Sequence, residues 1–169
     1  MTEHVPRLWP NDEAIRRVGE GFLACTLAKP EWTHEAHIAT TSWLILERPD
    51  ILPERDLPDL IRRYNESVGG VNSDTEGYHE TITQVFIRTL RQCLARGEGR
   101  ALHERVNAIL LAPEGRRDWL LRFYSGELLF SKEARLGWVE PDLRLLPVPV
   151  PNSLSSPLGD LAQRTCSSE

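Results

Sequence analysis

The chain has 169 residues, 40% apolar and 27% charged, with 20 Lys and Arg side chains against 25 Asp and Glu and a formal net charge of −5. Single domains mostly fall at roughly 100–200 residues, and a chain of this length buries roughly 70% of its unfolded surface, so folding requires neither a disulfide nor a metal. The acidic balance, without a Lys/Arg-dense run, excludes the concentrated basic surface that nucleic-acid phosphates need, and no apolar stretch approaches the ~20 residues that cross a bilayer.

In chain order, Asn11-Asp12-Glu13 is a capping and acidic first-turn signature. Ile15, Val18, Phe22 and Leu23 follow at spacings of three and four, which predicts a first helix over residues 12–27. Thr33 is placed to cap a second helix over 34–47, stopped by Arg48-Pro49. Prolines at 49, 53 and 58 punctuate a linker, and residues 59–67 read as a shorter third helix ended by Gly69-Gly70. A fourth helix begins at Asp74, Thr75 or Glu76 and runs to Ala95, before Arg96-Gly97.

Residues 100–112 and 116–124 give two more amphipathic segments, and a short helix is expected over 131–135, with extended chain after Pro141. There is no repeat and no alternation long enough for a sheet. The fold class is therefore all-α: a single-domain bundle of about six helices over 1–146, with a Pro- and Ser-rich tail over 147–169 that wraps the surface or moves freely. Glu3 and His4 stand where a secretory signal would carry a basic segment and an apolar run, so the expected setting is the cytoplasm. Cys25, Cys93 and Cys166 have no C-x-x-C spacing; the first two read as small core residues.

Chemistry points to the histidines. His34 and His37 are three apart, about 60° around a helix, on the face that continues as Ile38, Thr41, Leu44 and Ile45. His79 opens a stripe of Ile82, Phe86, Leu90 and Cys93 within about the same arc. If helices two and four run parallel, three imidazoles converge at one level of the bundle. Three nitrogen donors suit one divalent transition metal (zinc, iron or nickel) and leave a position open for water or substrate. Glu80, turned about 100° from His79, would border that site as a base or fourth ligand, and Tyr78 offers a hydroxyl to a developing anion. Glu35 has a similar place beside His34, and either carboxylate suits orienting an imidazole from behind.

The competing reading takes each histidine as a packing or capping residue, with Trp32, Trp43 and Tyr78 as core aromatics. His4 and His103 are read as ordinary surface residues. No H-E-x-x-H pair and no phosphate-cradling glycine loop is present. The Gly69-Gly70-Val71-Asn72 connection is either a helix terminator or the lip of a pocket.

The segments Trp32-Thr33-His34-Glu35-Ala36-His37 and Gly77-Tyr78-His79-Glu80-Thr81 resemble those of small bacterial proteins with no established activity. The layout, a helical bundle with three inward histidines, is similar in outline to the DinB/YfiT-like metal-binding bundles. That resemblance implies a metal on the histidines and either thiol-dependent transfer or metal-dependent hydrolysis. The expectation is thus a metal-dependent enzyme for hydrolysis or group transfer on a small molecule, using His34, His37 and His79. The alternative is a non-enzymatic binding or oligomerisation module with structural core histidines; a homo-oligomer is compatible with either.

Overall fold

A computed structural model describes residues 5–147, and the expected tail over 147–169 lies almost wholly outside them. Among the described residues there are seven α-helices and no strand. They are α1 (Asp12–Leu23), α2 (His34–Glu47), α3 (Pro53–Ser67), α4 (Glu80–Arg96), α5 (Leu102–Leu111), α6 (Gly126–Leu129) and α7 (Lys132–Leu136). None is long and apolar enough to cross a membrane.

The caps anticipated from sequence form. Asn11 and Thr33 accept the N–H groups of Ala14 (2.9 Å) and Ala36 (3.3 Å), while Ser131, expected as the first residue of its helix, instead caps α7 through Ala134. Other boundaries differ for local reasons. α1 stops at Leu23, not residue 27, because Cys25 turns left-handed (φ 57°) and Thr26 N–H returns to the Gly21 carbonyl. α3 starts six residues early, with Pro53 in its first turn and Pro58 inside it. Pro58 has no N–H for the Glu54 carbonyl four residues back; Gln84 of α4 donates to that carbonyl instead at 2.9 Å. The expected helix over 116–124 contracts to a 3-10 turn, Trp119–Arg122.

α2 is the central element. Ile38, Ala39, Thr40, Thr41, Ser42, Trp43 and Leu44 are all buried, and seven consecutive residues cover every side of a helix. α1, α3, α4 and α5 pack around it. α1 comes close at Gly19, where an added Cβ would lie 2.3 Å from Trp43 Cε3. A second, smaller core forms around Val85, Trp119, Leu120, Tyr124 and Leu129, on the far side of α4.

Candidate functional site

α4 begins later than its periodicity suggests, and this decides the place of His79. Ser73 Oγ accepts the N–H groups of Thr75 and Glu76, and Gly77 sits at φ 77°, so residues 73–77 form a closed turn. A Cβ on Gly77 would lie 2.4 Å from the Val71 carbonyl oxygen. The helix therefore opens at Glu80, and His79 becomes its N-cap: Nδ1 faces the Ile82 N–H at 3.4 Å while Nε2–H donates to the Leu129 carbonyl at 2.9 Å. Burial lowers the pKa of this ring and favours its neutral form.

The two α2 histidines diverge. His34 Nε2–H donates to the Gly115 carbonyl (2.8 Å), and its ring meets Phe86 edge-on, centroids 5.7 Å apart. His37 lies against Trp32 with centroids 4.0 Å apart and opens onto a cavity of about 350 Å³ shared with Tyr78, His79, Ile82 and Thr83. α2 and α4 run in the same general sense: Tyr64, near the end of α3, packs on Trp32 just before α2, while Glu54, near the start of α3, holds Gln84 and Arg91 along α4. His37 reaches the level of His79; His34 stands beside Phe86, nearly two turns into α4.

His37 makes no hydrogen bond among the described residues. Burial, together with the nearby charges of His34 and Arg117, pulls its pKa down to about 3, so it is neutral at physiological pH. Beside it, Tyr78 Oη donates to Glu80 Oε2 at 2.7 Å, and the Arg62 guanidinium lies 4.4 Å over the Tyr78 ring. Burial and the Glu80 carboxylate raise the Tyr78 pKa, so the phenol keeps its proton. Among the described residues no group of three His, Cys, Asp or Glu side chains stands close enough to hold a metal ion. Two imidazoles, not three, share the cavity.

Sequence reasoning did not find Asn65, Glu76 and Thr83, which complete the cavity wall, although Gly70 and Val71 of the Gly-Gly-Val-Asn connection do line it. Asn72 of the same connection fixes it in place: its Oδ1 accepts from Asn65 Nδ2 (3.0 Å) and the Tyr78 N–H (3.3 Å) while Nδ2 donates to the Arg62 carbonyl (3.0 Å). Asn72 thereby ties the loop that delivers Tyr78 and His79 to the end of α3. His103 is no ordinary surface residue: its Nδ1 lies 2.5 Å from Asp12 Oδ1, joining α5 to α1.

No family model, no curated protein and no solved structure matches the chain.

Proposed function

We propose that the protein is a metal-dependent enzyme performing hydrolysis or group transfer on a small molecule in the His37 cavity, with a divalent transition ion (zinc, iron or nickel) held by His37 and His79. The observation that supports this most is His37: a neutral imidazole without a hydrogen-bond partner, on the wall of a cavity of about 350 Å³. A half-buried imidazole that no protein group engages has a lone pair available to a ligand in the cavity. The carbonyl bonds of His34 and His79 put the proton on Nε2 and leave Nδ1 as the lone-pair nitrogen, the support that ligating histidines usually have.

His79 would give up only a 3.4 Å contact to its capped N–H, about 1 kcal/mol, against roughly 10 kcal/mol or more for a tightly bound zinc. When bound, the ion would supply a Lewis acid and a water of lowered pKa. Glu76, at the cavity wall, and the Tyr78–Glu80 pair would then hold or move a proton at the substrate, and Ile61, Val71 and Ile82 would exclude bulk water. His34 stands outside the cavity and completes the expected triad only if the first turn of α2 moves.

The test is metal analysis of untagged protein, followed by titration of the chelated protein with zinc, nickel and iron(II). Close to one ion per chain, lost in His37→Ala, supports the assignment; no ion found and none gained sinks it. A second reading, the non-enzymatic module, draws on the cap and cross-links made by His79 and His34, which join residues 79 and 34 to 129 and 115 without any ligand. Under it, metal neither binds nor stabilises.

A further inference from the structure

A second cavity, of about 170 Å³, lies at the corner where α4 ends and α5 begins, with Arg96, Arg100, Arg105, Cys93 and Glu114 in its wall. Three arginines and one glutamate contribute to that wall, in a chain whose net charge is −5. Glu114 offsets one of these charges, pairing with Arg96 at 3.6 Å. Arg100 makes no side-chain hydrogen bond or ion pair among the described residues. Arg105 is fixed by its Nη2–H bond to the Leu94 carbonyl and by close packing of its stem on Gly97, while its Nε has no partner.

Basic side chains near a helix C-terminus are ordinarily explained by the macrodipole, which is equivalent to about half a charge. Arg96 and Arg105 more than cover that, and Arg100 is left over. Like charges gathered in a concave wall repel one another unless an anion joins them, and arginine forks match phosphate oxygens two at a time. A cavity of about 150 Å³ takes up a molecule the size of benzene, so the space admits a phosphoryl group.

We infer that this corner binds a small phosphorylated anion, recognised through Arg96, Arg100 and Arg105. Because the 17 residues of α4 separate it from the His37 cavity, by about 25 Å at ~1.5 Å per residue, one small molecule cannot occupy both. The anion is a second ligand, and its binding does not depend on the proposed metal chemistry.

Calorimetric titration of the full chain with inorganic phosphate, pyrophosphate and AMP, with acetate and citrate as carboxylate controls, tests this. Pyrophosphate should bind saturably, and Arg100→Ala, which removes no internal contact, should weaken it about tenfold or more while melting like the parent. Arg105→Lys keeps the charge but loses the fork, and should weaken it as well. His37→Ala should leave it unchanged. Phosphate or AMP binding with the same arginine dependence separates a free anion from a nucleotide ligand. No saturable binding at millimolar pyrophosphate, equal binding by Arg100→Ala, or citrate binding as tight as pyrophosphate would overturn the assignment.

Discussion

His37 and His79 line one cavity but differ in what each contributes to the fold. His79 caps α4 and donates to the Leu129 carbonyl, so His79→Leu removes a cap and leaves a buried acceptor open. A loss of about 2–4 kcal/mol in urea unfolding is expected, roughly one cap plus one unsatisfied group. His37→Leu exchanges an unpartnered imidazole for an apolar side chain and at pH 7 and above should change the stability of the metal-free protein by no more than about 1 kcal/mol. The pH profile separates them further. The folded pKa of His37 is about 3 against an ordinary 6.5, so the unfolded chain binds the extra proton between these values. That stability is fully present above pH 6.5 and is lost as pH falls toward 3, by up to about 1.4 kcal/mol per pH unit. In chelator, urea unfolding of His37→Leu between pH 4 and 6.5 should show a shallower slope than the parent, and an identical slope would contradict the assignment.

Asp12 acts at lower pH. Burial raises its pKa, but the backbone N–H and ring of His103 outweigh burial and bring it below the ordinary aspartate value of 3.8. Its contribution is present above that value and lost as pH falls through the lower folded pKa. Neither Asp12 nor His103 suggests this pairing in sequence, because they are 91 residues apart.

Among the elements, α3 carries a proline where a helix should break, and α4 repairs it. Gln84 donates to the Glu54 carbonyl that Pro58 cannot serve. Gln84→Leu should therefore cost about 1–3 kcal/mol alone and distinctly less in a Pro58→Ala background, where the helix supplies its own N–H. A double-mutant cycle by urea denaturation measures the coupling, and strict additivity would refute this pairing. At the α1–α2 contact, Gly19→Ala sets a Cβ 2.3 Å from the Trp43 ring and should destabilise by at least about 1–3 kcal/mol, read as a lower midpoint at unchanged slope.

For the molecule as a whole, thermal melting with and without chelator distinguishes the two functional readings. A ligand present at about a hundred times its dissociation constant adds roughly 2.7 kcal/mol, so a metal-loaded protein should melt several degrees above its chelated form. A melt indifferent to chelator and to added zinc favours the structural module.

The all-α class, the bounds of α2 and the caps at Asn11 and Thr33 were legible in the residues alone, because spacing and capping act within one or two turns. The start of α3 was not, since the partner of its orphaned carbonyl comes from α4, and neither was the cap role of His79, which depends on the turn closed at Gly77. Face arithmetic brought the histidines inward yet left open which of them meet. α2 is buried on every side, so a single helix has no unique inward direction, and the way its neighbours pack around it determines that His37, rather than His34, shares a cavity with His79. Local chemistry determines what each segment becomes; only packing between distant segments decides which side chains share a cavity.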